Sequence, residues 1–335
     1  MKKATYLTAN FTAIISIIEK ARAKIYKAVN NGLIDMYWGV GEYINRKVTE
    51  DRWGEGTIQD FSRFIQGNYP DIKGFSPQNI WRMKQFYETY KNEPKLSPLV
   101  REITWSNNLL IMAGTKSSEA REFYIHLCMK NNHSKRELER QIDTMLFERT
   151  MLSKKRNKNL IAKNKRLGAL RDNYTLEFLN LPDGHKEKDL RRSILANLKK
   201  FILEFGKDFS LVGEEYRVQV GNQDFYIDLL FYNRELTCLV AIELKVEKFS
   251  PAQLGQLNFY LEALDRDVRK PHENPSVGLI LCTSKDDTVV EYALSRSLTP
   301  ALISEYTLKL PDKKLLQEKL AEITDFSDGA SDNDD

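Results

Sequence analysis

The first half of the chain has apolar residues at spacings of three and four, which is the pattern of amphipathic helices. Between Thr8 and Val48 the repeating positions are Ile14, Ile17, Ile18, Ala21, Ile25, Ala28 and Val29. We expect Asn30-Asn31-Gly32 to end or distort this first helix, because glycine and asparagine are common at helix C-termini. A second helix should then continue through Ile44, and residues 51–56 are expected to form a loop.

Two further helices are predicted from Ile58 to Gly67 and from Ser76-Pro77 to Tyr90, where serine can cap the helix and proline fits its first position. A short glycine-containing turn between them is compatible with helix-turn-helix or winged-helix geometry. On that interpretation Gln78 and Arg82 lie on the outer face and contact bases in a DNA groove. The alternative is an ordinary helical hairpin with a solvated polar face, and the sequence leaves both open.

A capping box at Ser134-Lys135-Arg136-Glu137 predicts a helix that begins at Lys135 and buries Leu138, Ile142 and Leu146. From Ser153 to Arg171 the chain contains basic residues and no acidic ones. Its first basic residues are Lys154, Lys155, Arg156 and Lys158. Such a run is either a solvated linker or a segment that binds nucleic-acid phosphates, and either interpretation makes it a domain boundary.

The pattern of apolar residues in the second half predicts, in order, one helix, three strands, a helix, a strand, a helix and a strand. The first helix runs from His185 to Gly206 with Leu190, Ile194, Leu198 and Ile202 inward. The strands are expected near Tyr216–Val220, Phe225–Tyr232, Leu236–Val246, Val277–Cys282 and Ala301–Tyr306, and the later helices at Ser250–Val268 and Val289–Leu294. This order predicts an α/β domain, a mixed sheet flanked by helices, preceded by an all-α domain.

The domain organisation follows from these patterns. We expect a helical domain over residues 1–150, a basic linker over 151–171, an α/β domain over 172–322 and an acidic, disordered tail over 323–335.

Isolated charges lie inside two of the apolar, strand-like runs. Asp228 interrupts the first run, while Glu243 and Lys245 in the second are two residues apart and therefore on one face of a strand. A buried carboxylate is costly unless something compensates its charge. Two carboxylates and one ammonium group can share a divalent cation, and oxygen ligation without histidine suits Mg²⁺ or Mn²⁺. The alternative is a plain ion pair of Lys245 with either acid.

The helix that follows carries Gln256 and Tyr260, four residues apart and hence on one face. Taken alone, these two residues would be packing residues. The order Asp, Glu-x-Lys, Gln-x-x-x-Tyr resembles the PD-(D/E)XK nuclease superfamily. The first half also resembles the helical domain of the YhcG-type members, at Tyr37-Trp38-Gly39-Val40-Gly41, Thr104-Trp105-Ser106 and Arg136-Glu137-Leu138.

This resemblance implies a restriction-endonuclease-like fold and Mg²⁺-dependent hydrolysis of phosphodiester bonds. By the same resemblance, Asp228 and Glu243 bind the metal, and Lys245 positions or activates water. It further implies that Gln256 supports the site, that Tyr260 orients it, and that Glu187 matches an acidic position in the first helix. One departure is Ile227, which precedes Asp228 where the motif has proline.

Composition narrows the setting in which this chemistry would operate. The formal net charge of +4 permits a nucleic-acid partner, which we expect to be DNA. Three cysteines without ligand spacing and four scattered histidines argue against a zinc site. Without a signal peptide or a run long enough to span a bilayer, we expect a soluble, cytoplasmic protein with no membrane partner.

Two functions of different class remain open at this point. The first is a metal-dependent nuclease, with endonucleolytic or exonucleolytic action undecided. The second is a catalytically inactive nuclease-fold module that binds nucleic acid or assembles with proteins. In either case the helical half could serve to form a homo-oligomer.

Overall fold

The computed structural model describes residues 2–50, 53–156, 167, 170–206, 208–295, 300–318 and 320. It gives no side chains for residues 2–10, 12, 13 and 154–156. The chain divides into two compact units, Met1–Ile142 and Asp143–Asp335. This division falls a few residues before the boundary at 150/151 that the sequence indicates. Lys158 and the acidic tail, 323–335, lie outside the described residues.

The first unit is helical. Its helices are α1 (Lys2–Glu50), α2 (Glu55–Asn68), α3 (Pro77–Tyr90), α4 (Trp105–Gly114), α5 (Ser118–Asn131) and α6 (Lys135–Asp143), with a 3₁₀ turn at Leu99–Glu102. The bounds predicted for α3 are confirmed: the Ser76 hydroxyl accepts a hydrogen bond from the Asn79 backbone N–H at 3.3 Å. Its inward side chains Ile80, Met83 and Phe86 are fully buried. None of the described helices is both long and apolar enough to cross a lipid bilayer.

Asn30-Asn31-Gly32 is predicted to end or distort the first helix; an end at these residues is wrong, since α1 continues through them. Glycine inside a helix costs only ~1 kcal/mol relative to alanine, so other contacts can outweigh it. One such contact is made by the Asn30 side chain, whose amide N–H groups donate to the backbone oxygens of Arg101 (2.8 Å) and Ile103 (3.1 Å). The asparagine is thus engaged by a neighbouring segment and does not cap its own helix.

Two connections in the first half also differ from expectation. The segment between α2 and α3 comprises residues 69–76 and is longer than the three- to four-residue turn of a helix-turn-helix. The helix that begins at Lys135 ends at Asp143, and a new helix, α7 (Leu146–Arg156), starts after Met145. Met145 has a left-handed backbone conformation (φ 54°), which interrupts the helix expected to continue through Leu146.

The second unit contains a six-stranded mixed sheet. After α7 its elements are β1 (Asn173–Thr175), a 3₁₀ turn (Glu177–Leu179), α8 (Glu187–Ala196), α9 (Leu198–Phe205), β2 (Phe209–Val220), β3 (Gln223–Asn233), β4 (Cys238–Leu244), α10 (Pro251–Ala263) with a π-helical end (Leu264–Val268), β5 (Val277–Cys282), α11 (Asp287–Ser295) and β6 (Ala301–Thr307). Residues 313–318 are also helical. The strand order is β1-β6-β5-β4-β3-β2. Strands β1, β6, β5 and β4 are parallel, while β3 and β2 are antiparallel to their neighbours.

The predicted α/β architecture of this half is confirmed, with two corrections. The segment before α8 contains β1, which pairs with β6 and is not among the strands predicted from the sequence. The helix predicted from His185 to Gly206 is two helices, because Asn197 leaves the helical conformation (φ −113°, ψ 26°) and its side chain donates to the Ser193 backbone oxygen. Gly206 ends the second one with φ 138°, a conformation that favours glycine.

Both faces of the sheet are covered. One face packs in a cluster that includes Leu190, Ile194, Phe201, Leu229 and Ile242, and the other packs against Leu254, Leu257 and Leu261 of α10. All seven residues of β4 and all six of β5 are buried. Within β4, Glu243 is therefore a single charged residue in an otherwise apolar, fully buried strand.

We predict that Gly41→Ala destabilises the first unit by about 2–4 kcal/mol. A Cβ at Gly41 would lie 2.1 Å from the backbone oxygen of Met83, so α1 and α3 would have to separate. Gly39→Ala is the matched control on the same helix, because a Cβ there meets nothing within 4 Å. The control should be neutral or slightly stabilising.

Urea unfolding followed by tryptophan fluorescence measures both variants selectively, because all four tryptophans (Trp38, Trp53, Trp81, Trp105) lie in the first unit. Equal midpoints for the two variants would contradict the close approach of α1 to α3.

Candidate active site

Two carboxylates meet across the antiparallel pair β3 and β4. The register pairs Leu229 with Ile242, which makes Asp228 and Glu243 neighbours on the two strands. The Asp228 backbone N–H donates to Oε1 of Glu243 (3.4 Å), and the Leu244 backbone N–H donates to Oδ2 of Asp228 (2.9 Å). Each carboxylate is therefore held by the backbone of the opposite strand.

Lys245 follows the last residue of β4 and lies between two acids. Its Nζ is 3.8 Å from Oε2 of Glu243 and 3.5 Å from Oε1 of Glu187, at the start of α8. The structure thus brings Glu187, Glu243 and Lys245 together in space. Among the ion pairs of the described residues, Lys245 pairs with these two glutamates, and Asp228 has a different basic partner.

That partner is Arg191, which the sequence analysis missed. Its Nη1 donates to Oδ1 of Asp228 at 2.9 Å, and its Nη2 donates to Oε1 of Glu215 on β2 at 2.7 Å. Arg191 lies one helical turn after Glu187, so the two share a face of α8. The sequence did contain a signal for Arg191, namely its position four residues after Glu187, an acid that the resemblance already implied.

Burial dominates the electrostatics of Glu243, whose side chain is 3% exposed. Desolvation, and secondly the negative charge of Asp228, raise the pKa of Glu243 to about 8. The Lys245 ammonium and the hydrogen bond from the Asp228 N–H oppose this rise, and Glu187 adds to it. Glu243 therefore holds a proton near neutral pH unless additional positive charge approaches it.

Gln256 and Tyr260 lie on α10, and the Gln256 side-chain N–H donates to the Tyr260 hydroxyl oxygen at 2.7 Å. Burial raises the pKa of Tyr260, the Gln256 hydrogen bond lowers it, and the charges of Glu243 and Asp228 raise it again. Tyr260 is thus within electrostatic range of both acids. Since its oxygen accepts from Gln256, its own O–H remains available to donate.

The donor chemistry of this site restricts which cation it could hold. No group of three or more His, Cys, Asp or Glu suited to a metal is found in the described part of the chain. Two carboxylates with no soft or imidazole ligand would be a poor zinc site. They fit Mg²⁺ or Mn²⁺, since Mg²⁺ commonly takes one or two protein carboxylates and completes its shell with water and substrate phosphate.

The residues predicted to contact nucleic acid lie away from this cluster in the chain. Gln78 and Arg82 are exposed on α3 in the first unit. Lys154, Lys155 and Arg156 belong to the end of α7, but their side chains are outside the described set, as is all of Lys158.

Comparison with solved structures finds similarity to two chains. One is the "crystal structure of a repair endonuclease from Pyrococcus abyssi", at 16% identity and TM-score 0.27, covering 39% of this chain and 50% of that one. The other is the "Structure of EndoMS in apo form", at 16% identity and TM-score 0.26, covering 39% and 49%. This chain thus spans about half the length of either, and TM-scores this low do not establish a shared fold.

Sequence comparison gives a closer relationship. Residues 13–149 match the DUF1016 N-terminal domain, and residues 167–321 match the YhcG PDDEXK nuclease domain. The chain is 31% identical over 347 aligned residues to the Escherichia coli (strain K12) protein named "Putative nuclease YhcG", covering 92% of each chain. The chain therefore belongs to the YhcG family, with a DUF1016 N-terminal domain followed by a nuclease domain of the PDDEXK type.

Proposed function

We propose that the nuclease domain hydrolyses phosphodiester bonds in DNA, using a divalent cation held by Asp228 and Glu243. The observation that carries this proposal is the meeting of these two carboxylates across β3 and β4 beside the ammonium group of Lys245. Membership of a nuclease family supports the reaction class. The donor set supports Mg²⁺ or Mn²⁺ as the cation.

When bound, such a cation lowers the pKa of a coordinated water and offsets charge on phosphoryl oxygens. Asp228 and Glu243 would supply the anionic oxygens that hold it. Because Glu243 is buried, its charged form depends on nearby positive charge. The burial therefore couples the ionisation of this residue to the arrival of the cation.

Lys245 would act on the substrate rather than on the cation. Its ammonium is a compact charge with three donors, suited to orienting a water molecule and a phosphate oxygen. Glu187 and Glu243 lie on either side of Nζ and fix its position. Glu187 is accordingly a positioning residue in this proposal.

Gln256 and Tyr260 would complete the site from α10. Gln256 donates to the Tyr260 oxygen and so orients the phenol. The Tyr260 O–H then has a direction fixed by a rigid helix, from which it can donate to an oxygen at the site. Neither side chain needs to change its protonation state in this role.

DNA would be held mainly through its phosphates. Lys154, Lys155, Arg156 and Lys158 are the proposed phosphate-binding residues, and each phosphate neutralised adds salt-sensitive affinity. Gln78 and Arg82 are the proposed base-reading residues, and their exposure on α3 leaves them accessible. The rival function is a nuclease-fold module that binds nucleic acid without cleaving it.

We predict that Asp228→Asn and Lys245→Met each lower cleavage by about 100-fold or more, because each removes a charge that acts on the cation or the phosphate. Asp224→Asn is the matched control, since it removes the same carboxylate at an exposed position of the same strand, where it pairs with Arg217. The assay is Mg²⁺- or Mn²⁺-dependent nicking of plasmid DNA, with melting temperature measured in parallel. Full activity of Asp228→Asn would refute the site, whereas parent protein that binds DNA without cleaving it would support the inactive module.

We predict that the metal-free protein loses stability as pH rises from about 5 to 8, and that Glu243→Gln removes part of this loss. The folded-state pKa of Glu243, about 8, exceeds the ordinary value of 4.5, so the folded form binds the extra proton in this window. The resulting stabilisation is complete at low pH and disappears as the proton is lost. At pH 9 the free energy of unfolding of Glu243→Gln should exceed that of the parent by on the order of several kcal/mol.

Circular dichroism of unfolding at pH 5, 7 and 9, with chelator present, measures this difference. Parallel stability curves for the parent and Glu243→Gln would contradict the role of burial in raising the pKa of Glu243.

We predict that Arg191→Met tightens Mn²⁺ binding by about 3- to 10-fold, because it removes a positive charge that is hydrogen-bonded to a proposed ligand. Arg192→Met is the matched control, with the same change on the adjacent, exposed residue of α8. Titration calorimetry of both variants measures the affinity. Weaker binding by Arg191→Met would show instead that the guanidinium is needed to orient Asp228.

A further inference from the structure

The N-terminal part of α1 exposes its side chains to solvent. The helix has 49 residues and is about 74 Å long at 1.5 Å per residue. Its C-terminal part packs in the first unit through Ile34, Tyr37 and Ile44, which are buried. Every side chain from Ile17 to Val29 is exposed.

This exposed part carries an apolar stripe. Its members repeat every three or four residues: Phe11, Ile14, Ile18, Ala21, Ile25 and Ala28. Alternating intervals of three and four residues, which together make seven, are the repeat of a coiled-coil seam. The large residues among them are between 46% and 62% exposed. Lys20 and Lys27 lie on the opposite side of the helix, where Lys27 forms an ion pair with Glu102 at 2.6 Å.

The face of α1 that packs in the first unit is not the face that carries this stripe. Ile25 and Ile34 are nine residues apart, which places them about 180° apart around the helix axis. The face that buries Ile34 is therefore turned away from the face that carries Ile25. A solvated helix of this kind gains little stability from propensity alone, so the stripe needs a partner from outside the unit.

We propose that this partner is the same segment of a second copy, paired antiparallel with its midpoint between Glu19 and Lys20. In this register Phe11 faces Ala28 of the other copy, and Ile18 faces Ala21. Ile14 faces Ile25. A large residue thus meets alanine in four of the six layers, and isoleucine meets isoleucine in the other two, so that the facing side chains can interdigitate. A parallel, in-register pair would instead stack phenylalanine on phenylalanine and alanine on alanine.

The charges of the segment are compatible with this register. Arg22 and Lys24, the basic residues nearest the seam, lie beside Ile15 and Ile17 of the other copy, so their stems cover apolar surface without facing a like charge. The antiparallel pair therefore sets no like charges against each other beside the seam.

The available area is sufficient for a dimer. Phe11, Ile14, Ile15, Ile17, Ile18, Ile25 and Val29 are 46–67% exposed. At about 100 Å² of exposed surface for each side chain, they present roughly 700 Å² per copy. A standard stable interface buries about 800 Å² per partner. The stripe and its flanking residues are thus close to the size that a specific dimer needs.

The test is the oligomeric state of the full chain, measured by sedimentation velocity over a hundredfold range of concentration. We expect a dimer, and we expect the double variant Ile18→Glu with Ile25→Glu to raise its dissociation constant by at least ~100-fold, because two charges would enter the seam. Ala23→Glu is the matched control on the back face of the same exposed segment and should remain dimeric. Far-UV circular dichroism should show less helix in the double variant only.

The antiparallel register has its own test by thiol cross-linking. The three native cysteines do not interfere with this test because they are buried. Ile14→Cys mixed with Ile25→Cys should cross-link, and neither variant should cross-link alone. Cross-linking of Ile14→Cys by itself would establish a parallel pair and overturn the register. A parent protein that stays monomeric, or a double variant that stays dimeric, would overturn the proposal. A monomer that binds anionic vesicles through this segment would also overturn it and would assign the stripe to a lipid surface. None of these measurements depends on nuclease activity.

Discussion

The site depends on one buried carboxylate in a strand that offers it almost no solvation. Glu243 lies near the carboxyl end of β4, whose other six residues are buried and uncharged. A charge in such a place requires compensation, and the surrounding residues supply it in part. The Asp228 backbone N–H donates to Glu243, and the Lys245 ammonium lies 3.8 Å away. These contacts do not fully replace the lost solvation, and the pKa of Glu243 is therefore raised. A divalent cation is the remaining compensation that the proposed function calls for.

Each of the two acids has its own basic partner. Arg191 neutralises Asp228 and is held by Glu215, while Lys245 lies between Glu187 and Glu243. Each cationic side chain is thus fixed by a carboxylate that is not a proposed metal ligand. Strand β4 is also where the sheet changes from antiparallel pairing with β3 to parallel pairing with β5. Asp228 and Glu243 converge because β3 and β4 pair antiparallel, and the ion pair of Lys245 with Glu187 brings the start of α8 to the same place.

Local patterns in the sequence were sufficient for much of this arrangement. The alternation of β3, the apolar run of β4 and the Ser250-Pro251 start of α10 predict these elements because their signals lie within each segment. Arg191 was missed because its role depends on pairing with Asp228, 37 residues away in sequence. The short strand β1 was missed for the same reason, since its assignment comes from pairing with β6 at the other end of the domain. The sequence shows that Glu187 and Arg191 share a helix face, but it does not show which distant residue Arg191 pairs with or that β1 joins β6.

The uninterrupted course of α1 connects the first unit to the inferred dimer. Had Asn30-Asn31-Gly32 ended the helix, the apolar residues from Phe11 to Val29 could have turned back and packed on the first unit. Because Asn30 instead bonds to the backbone at Arg101 and Ile103, the helix remains continuous and its two apolar faces keep a fixed angle. One face is buried in the unit and the other cannot reach it. The same hydrogen bonds that overturn the predicted helix end therefore leave the stripe exposed and available to a second copy.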